Sequence, residues 1–325
     1  MLKKRFRVNP WGKQFSELAT KEDIAFCFRL ILGRDPNKEE WPGHSSFSGS
    51  KLDEVVRSYL NSLEFKSREL ISYDRDIIKY STNFGFEIYL NMKDNLICKP
   101  ISQGVIYEKH VTETFQNSLK SGMTLLDIGA NVGWYSLFAA NFLNDTCNIY
   151  AFEPFSENIK LLMASLVENN FDSIKVIQSA AGNELGIASF GASNGNGQCK
   201  QINREINSIL KSETVNMIRI DDLIKEKVDL IKLDIEGGEY KALSGALSIL
   251  KNSKPIIFSE FTPSALPSIS GIQWHEYLNF IVKLGYEISV IEETTVKCHQ
   301  DINNVYKIYQ DKGTDHLDLI FSPIL

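Results

Sequence analysis

The sequence has no excess of positive charge and no long apolar run. Lys and Arg total 35 against 41 Asp and Glu, a formal net charge of −6, which argues against a surface built mainly to neutralise nucleic-acid phosphates. No apolar stretch approaches the roughly 18 to 20 residues that a membrane-spanning helix needs. The basic residues 3–7 are not followed by an apolar stretch. We therefore expect no nucleic-acid partner, no transmembrane segment and no secretory signal.

Cysteine is scarce and scattered. The five residues have no C-x-x-C pair and no histidine at metal-ligand spacing, so small side chains packed near a core are expected rather than a zinc site or a catalytic thiol. This usage favours the cytosol. The cysteines are Cys27, Cys98, Cys147, Cys199 and Cys298.

The sequence has ample material for a core, because 43% of its 325 residues are hydrophobic. This length allows one large domain and a smaller one. The patterns predict a small helical module over residues 1–75, a β-hairpin connector over 76–104 and the main domain over 105–325.

The first module shows helical periodicity in two segments. Thr20 begins a capping signal ahead of apolar residues at helical spacing, and Gly33 and Pro36 end that helix. A Gly-, Pro- and Ser-rich loop over residues 42–50 separates it from a second helix that begins near Leu52. Residues 83–100 then alternate around a polar turn at 93–95, which predicts the hairpin.

Short apolar runs alternate with helical segments in the main domain. This alternation predicts a mostly parallel sheet covered by helices on both faces, with two final runs pairing antiparallel at one edge. The candidate strands are residues 124–128, 148–152, 174–177, 228–233, 255–259, 287–291 and 317–321. The candidate helices are residues 134–142, 155–169, 239–250 and 274–284.

The strongest motif is L-L-D-I-G-A-N-V-G over residues 125–133, a buried strand that leads through a Gly-rich turn into a helix. Ligands of open α/β sheets approach the backbone at such a turn. A dinucleotide fingerprint would need glycine at 129, 131 and 134, but Asn131 and Trp134 occupy two of these positions. The remaining pattern, D-x-G-x-N-x-G, resembles the first motif of class I S-adenosylmethionine (SAM) methyltransferases, and a tight structural turn is the alternative.

Acidic residues end two further strands. Glu153 follows the second strand, where a carboxylate is placed to accept hydrogen bonds from both ribose hydroxyls. Asp234 and Glu236 follow the strand of I-K-L-D-I-E-G-G-E, and they would share one face if extended geometry persists. Glu239 is expected to cap the next helix.

Four motifs in this order resemble the FkbM family of methyltransferases. They are L-L-D-I-G-A-N-V-G-W-Y-S (125–136), F-E-P (152–154), I-K-L-D-I-E-G-G-E (231–239) and S-E-F (259–261). The resemblance implies an α/β, Rossmann-like class I methyltransferase fold, SAM as cofactor, and O-methylation of a hydroxyl, often on a saccharide. It covers residues 104–323.

The resemblance also implies roles for individual residues. The expected SAM-binding residues are Glu108, Asp127, Gly129, Asn131, Gly133, Glu153, Ser179 and Ala180. Many relatives carry a histidine two residues after the glutamate of S-E-F, but this sequence has Thr262 there, which puts a histidine base in doubt.

A sugar hydroxyl needs a general base or a metal to help remove its proton. Asp234, Glu236 and Glu260 are the candidate catalytic carboxylates, either as a base or as oxygen ligands of Mg²⁺. We favour the metal-free interpretation, because no D-x-D run or His/Asp cluster accompanies them. Residues 191–211 are polar and Gly-rich, and they are predicted to cover the acceptor site unless they are a surface insertion.

The N-terminal L-G-R-D-P (32–36) resembles a helical domain of unknown function found in bacterial surface and glycan-related proteins. It indicates a saccharide-related setting and a protein partner for the helical module. We expect a cytoplasmic location, with contact to the inner membrane through the basic residues 3–7 as an option. Two other functions stay open: a non-catalytic scaffold in glycan assembly, and a nicotinamide-dependent oxidoreductase.

Overall fold

The computed structural model describes residues 17–67, 76–193, 196–201 and 213–324. The chain divides into two compact units, Met1–Asp74 and Arg75–Leu325. Among the described residues, every helix is too short or too polar to cross a lipid bilayer.

The described part of the first unit contains four helices. They are α1 (Lys21–Leu30), α2 (Trp41–Ser45), α3 (Leu52–Leu60) and α4 (Leu63–Ser67). The capping signal is confirmed, because the Thr20 hydroxyl accepts from the Asp23 N–H and the Asp23 carboxylate accepts from the Thr20 N–H. The loop predicted over 42–50 is wrong at its start, where Pro42 lies in the first turn of α2 and favours a helix there.

Arg34 of the L-G-R-D-P motif holds this unit together. Its guanidinium donates to Glu40 Oε2 at 3.0 Å and to Glu64 Oε2 at 2.6 Å, and it lies 5.0 Å from the centre of the Phe28 ring. Hydrogen bonds from Arg34 lower the pKa of Glu40 to about 2. The distinctive arginine therefore has a structural role.

The second unit begins with a hairpin of β1 (Ile77–Ser81) and β2 (Glu87–Asn91). The hairpin predicted over 83–100 is therefore misplaced. Its turn lies at residues 82–86, where Gly85 has φ +93°, and not at residues 93–95. Residues after 95 form the helix α5 (Cys98–Ser102), because the Asp94 carboxylate accepts from the N–H groups of Leu96 and Ile97.

The main sheet has eight strands in the order β13-β12-β14-β11-β10-β3-β4-β5. These strands are β3 (Thr124–Ile128), β4 (Asn148–Phe152), β5 (Ile174–Ile177), β10 (Leu230–Leu233), β11 (Ile256–Phe261), β12 (Tyr286–Val290), β13 (Val296–His299) and β14 (Leu317–Pro323). β3, β4, β5, β10 and β11 are parallel, and β14, β12 and β13 add antiparallel pairings on one side. The Rossmann-like α/β fold is confirmed.

A second sheet of the described residues has the order β6-β9-β7-β8. Its strands are β6 (Ala180–Ala181), β7 (Gly186–Ser193), β8 (Asn196–Gln201) and β9 (Glu213–Ile218). Of the stretch predicted to cover the acceptor site, residues 191–193 and 196–201 lie in the β7–β8 hairpin, and residues 194–195 and 202–211 lie outside the described part.

Helices cover the main sheet on both faces. They are α6 (Lys109–Ser118), α7 (Trp134–Phe142), α8 (Ser156–Asn169), α9 (Ile220–Leu223), α10 (Glu239–Ser244), α11 (Leu247–Asn252), α12 (Leu266–Ile269), α13 (Trp274–Lys283) and α14 (Ile302–Lys312). The helix predicted over 239–250 is two helices, because the Asp221 carboxylate accepts from the N–H groups of Ser248 and Ile249 and so caps a new helix start.

Alternating side chains of the strands fill two separate cores. Leu125 and Leu230 belong to one cluster with Phe138, whereas Leu126 and Ile231 belong to the other. This period of two places one core on each face of the sheet. The cysteines whose side chains the structure describes, Cys27, Cys98, Cys147 and Cys298, are free thiols.

Candidate active site

The candidate site lies where the turns after β3 and β10 meet. The chain runs from β3 outward to β4 and β5, and then returns to β10 on the other side of β3. Ligands of open α/β sheets bind at the carboxyl ends of the strands at such a reversal. Gly129 has φ +86°, and a Cβ there would lie 1.9 Å from the Asp234 carbonyl oxygen. Glycine at 129 therefore lets the two turns touch.

A cavity of about 430 Å³ opens at this point, a size within the range of small-molecule sites. Ten predicted site residues line it: Glu108, Asp127, Gly129, Asn131, Glu153, Ser179, Ala180, Asp234, Glu236 and Glu260. Gly133 is described but lies outside the lining. Its φ is +92°, and a Cβ there would lie 2.3 Å from Leu162 Cδ1, so Gly133 allows α7 to pack closely against α8.

Glu153 is held rigidly at the tip of β4. Its Oε2 accepts from the Asn131 N–H at 2.8 Å, and its Oε1 accepts from the Phe155 N–H at 2.8 Å. Only 3% of the residue is exposed, and burial raises the pKa of Glu153 to about 7. A carboxylate offers about four acceptor positions. The Asn158 amide also donates to Oε1, at a long 3.4 Å, so one position is open to a ribose hydroxyl and a second opens if that long bond is exchanged for one to the ligand.

Asp127 supports the turn from inside. Its Oδ2 accepts from the Ser136 hydroxyl at 2.5 Å, which ties the end of β3 to the first turns of α7. Burial raises the pKa of Asp127 to about 6. Asn131, two residues after Gly129, takes a left-handed conformation with φ +50°. The D-x-G-x-N pattern thus encodes the shape of the turn as well as its approach to a ligand.

Ser179 and Ala180 lie on another wall of the cavity, where β6 begins. Ser179 is buried, and its hydroxyl donates to the Gln178 carbonyl at 2.7 Å. Ala180, Ala188 and Met217 add apolar lining there. This wall suits a flat apolar group such as the adenine ring that the family resemblance implies.

Asp234, Glu236 and Glu260 come together at the far end, with carboxylate oxygens within 4.8 Å of one another. The expectation that Asp234 and Glu236 share a face through extended backbone is wrong in its geometry, because Glu236 is left-handed at φ +54°. The turn nevertheless brings both to the cavity. The prediction that Glu239 caps the next helix is corrected: its Oε1 accepts from the Ile235 and Gly237 N–H groups of the preceding turn, and α10 begins after Gly238 without a side-chain cap.

The pKa values of Asp234 and Glu260 shift in opposite directions. Burial would raise the pKa of Asp234, but Lys232 and a hydrogen bond with Glu260 outweigh burial and hold it below its usual value. Burial and the charge of Asp234 raise the pKa of Glu260 well above its usual value, and Glu260 also accepts from the Thr262 hydroxyl. The Lys232 ammonium therefore favours the ionised form of Asp234 over that of Glu260.

Sequence analysis missed Lys232, although the signal was present. Lys232 stands between apolar residues in β10, every residue of which is buried. Its Nζ lies 3.2 Å from Asp234 Oδ2, 3.5 Å from Glu108 Oε2 and 4.7 Å from the centre of the Tyr135 ring. An ionised group in a buried strand needs partners at the same depth, which makes a lysine in such a strand a candidate site residue.

Strand β14 brings further residues that sequence analysis did not assign to the site. Asp318 lies opposite Glu260 in the pairing of β11 with β14. Burial, and to a smaller extent the negative charge of Glu108, raises the pKa of Asp318 to about 6. His316 lines the cavity, and its Nδ1 lies 2.9 Å from Asp315 Oδ1. Their distance in sequence from the other motifs concealed them.

Part of the chain matches the sequence model of a known protein family. The model described as the methyltransferase FkbM domain matches residues 127–288. No curated protein matches the chain in sequence.

Solved structures with a similar fold include three methyltransferases. The methyltransferase FkbM of Methylobacillus flagellatus KT is 15% identical, with a TM-score of 0.43 and coverage of 91% of this chain. This chain spans 58% of the length of that relative. A precorrin-6y C5,15-methyltransferase of Geobacter metallireducens GS-15 is 13% identical (TM-score 0.39, 67% of this chain and 89% of that chain). A SAM-dependent methyltransferase of Aquifex aeolicus is 14% identical (TM-score 0.38, 67% and 89%).

Proposed function

Because residues 127–288 form a methyltransferase domain of the FkbM family, we propose that this chain transfers the methyl group of SAM to a hydroxyl of a saccharide or of a saccharide-containing metabolite. The observation that carries the proposal is the contact between the turn at Gly129 and the turn at Asp234. This contact brings the turn proposed to bind SAM and the carboxylate of Asp234 into one cavity. The family match also favours methyl transfer over the nicotinamide-dependent alternative.

The residues present fit SAM. Glu153 is a buried carboxylate at the cavity wall with acceptor capacity for ribose, and the Ala180 side offers an apolar surface. Gly129 and Asn131 form the turn on which the amino-acid end would rest. Bound SAM supplies a methyl group on a positively charged sulfur. The protein's tasks are then to align the acceptor oxygen, exclude water and receive a proton.

Asp234 is the proposed general base. As the new C–O bond forms and the C–S bond breaks, the acceptor hydroxyl becomes strongly acidic, so a carboxylate is basic enough to take its proton. Glu260 and Glu236 would accept hydrogen bonds from, or orient, other hydroxyls of the acceptor. Several acceptor groups in one corner, with Asp315 and His316 also in the lining, complement the many O–H donors of a sugar.

We propose that the reaction needs no metal. Three carboxylates within 4.8 Å of one another have the oxygen chemistry of a Mg²⁺ site. Here, however, the Lys232 ammonium lies 3.2 Å from Asp234 and already supplies positive charge, and burial beside Asp234 raises the pKa of Glu260, which makes Glu260 a poorer ligand for a cation.

Methyl transfer to a panel of saccharides, followed with radiolabelled SAM, tests the function. Asp234→Asn should abolish turnover and leave SAM affinity within about threefold, because the change removes a base and keeps the shape. Asp229→Asn is a control, since Asp229 pairs with exposed Lys227 at the start of the same strand. SAM binding without transfer to any hydroxyl acceptor would favour an amine acceptor or the scaffold alternative, and these separate on an amine panel.

The setting of the reaction is also a proposal. We infer that the helical module binds a protein partner of a cytoplasmic glycan-assembly system, with residues 3–7 touching the inner membrane. The L-G-R-D-P resemblance supports this inference. Fractionation of cells that express the full chain, with and without residues 3–7, tests the membrane contact. Recovery of both forms only in the soluble fraction would contradict it.

A further inference from the structure

Lys232 stands out because its charge is almost completely buried. Only 2% of its side chain is exposed. An apolar side chain would fill this position in β10 without the cost of removing an ammonium from water. The proposed base, Asp234, accepts from its Nζ at 3.2 Å.

The surroundings of the ammonium are specific. On one side it meets Asp234, and on the other it lies 3.5 Å from Glu108 Oε2, an oxygen that also accepts from the Tyr135 hydroxyl at 2.5 Å. The Tyr135 ring faces the ammonium at 4.7 Å. Three elements therefore fix one cation: β10, the start of α6 and the first turn of α7.

The cation is outnumbered by acidic groups. The titratable groups that face this cluster from the surrounding elements are Glu108, Asp127, Asp234, Glu236, Glu239, Glu260, Asp318, His316, Tyr107 and Tyr135. Without the cation, Asp234 and Glu260 would compete for protons as two adjacent buried carboxyls, so neither would be a reliable base.

We propose that Lys232 is a positioning residue that keeps Asp234 ionised and aimed into the cavity, in the place a metal ion would take in a metal-dependent site. This inference rests on the proposed function. It deepens that function by assigning the charge balance of the base to the protein itself. Lys232 acts through Asp234 and need not touch the acceptor.

Lys232→Met is the direct test, with Lys232→Arg as the charge-conserving variant. Loss of the charge should move the acid limb of the kcat profile upward by about one pH unit or more, so kcat at an acid pH on that limb should fall by about tenfold while kcat on the plateau changes less. KM for SAM should change little. Lys232→Arg should retain the wild-type pH profile, with a lower kcat because the larger guanidinium disturbs a packed site.

Lys227→Met is the matched control. Lys227 is 72% exposed and pairs with Asp229 just before β10, so its loss should leave the pH profile unchanged. Lys232→Gln, which is also neutral, serves if the methionine variant fails to fold. An unchanged acid limb in a folded neutral variant would overturn the proposal, as would an equal loss of SAM affinity, since that would make Lys232 a general structural residue.

A second measurement is independent of turnover. Carbon-13 NMR of carboxyl-labelled aspartate, assigned with Asp234→Asn, follows the titration of Asp234 in the wild type and in Lys232→Met. An upward shift of about one unit or more in the variant supports the positioning role, and an unchanged titration refutes it. This holds even if no acceptor hydroxyl is methylated, so failure of the inference is distinguished from failure of the proposed function.

Discussion

If the ribose hydroxyls of SAM donate to Glu153, SAM affinity must depend on pH. Burial raises the pKa of Glu153 to about 7 in the free protein. The hydroxyls are donors, so they favour the ionised carboxylate. Binding in acid must therefore release a proton from Glu153, and binding above its pKa need not.

The size of the effect follows from that pKa. At pH 6 about one tenth of Glu153 is ionised, so SAM should bind about tenfold more weakly than on the alkaline plateau, a difference of about 1.4 kcal/mol. The logarithm of the affinity should rise by about one per pH unit below pH 7 and level off above it. Glu153→Gln should remove this slope and weaken binding at pH 8 by about 1.5 to 3 kcal/mol, because hydrogen bonds to a charged acceptor are lost.

Calorimetric titration with SAM from pH 5.5 to 8.5 measures both quantities, and proton release is obtained by repeating the titration in buffers of different ionisation enthalpy. Glu239→Gln is the matched control. Burial also raises the pKa of Glu239 to about 7, but Glu239 caps a turn by accepting from the Gly237 N–H. Its variant should keep the slope. An identical slope in Glu153→Gln would refute the ribose assignment, and so would a flat wild-type profile.

Three further changes test other parts of the molecule. Gly129→Ala should lower the free energy of unfolding in urea by about 2 kcal/mol or more beyond the loss caused by Gly122→Ala. Both glycines have positive φ, but only a Cβ at 129 would meet Asp234. Equal losses in the two variants would show that the turn at Asp234 moves to accommodate the added Cβ. Treatment with EDTA should leave methyl transfer unchanged, and a loss restored by Mg²⁺ would overturn the metal-free proposal. Arg34→Met should increase hydrogen exchange across α2 and α4, because the ion pairs of Arg34 with Glu40, just before α2, and with Glu64, in α4, are removed, and unchanged protection would contradict this role.

The site was predictable where strand ends carry distinctive residues. Gly129, Glu153 and Asp234 follow three neighbouring parallel strands, and the carboxyl ends of such strands meet at one edge of the sheet. Their patterns are local, so a single sequence displays them. The same property explains why ten predicted residues line one cavity.

Other features depended on contacts that sequence patterns do not show. The helical stretch over 239–250 divides because Asp221, distant in sequence, caps a second helix at Ser248 and Ile249, and the periodicity on either side continues without a break. Alternation from Phe84 to Leu90 indicated a strand, which the structure places at Glu87–Asn91, and its partner is upstream rather than downstream. The apolar neighbours of Lys232 showed that it would be buried, but its contacts with Glu108 and Tyr135 come from distant parts of the sequence and could not be read from the motif.

The position of β14 has a consequence for synthesis of the protein. β14 lies between β11 and β12, although both precede it in the chain. Until residues 317–323 leave the ribosome, β11 has an open edge and β12 has no place in the sheet. Asp318 and His316 arrive with the same strand. The growing chain therefore cannot complete the acidic end of the cavity until β14 has been synthesised.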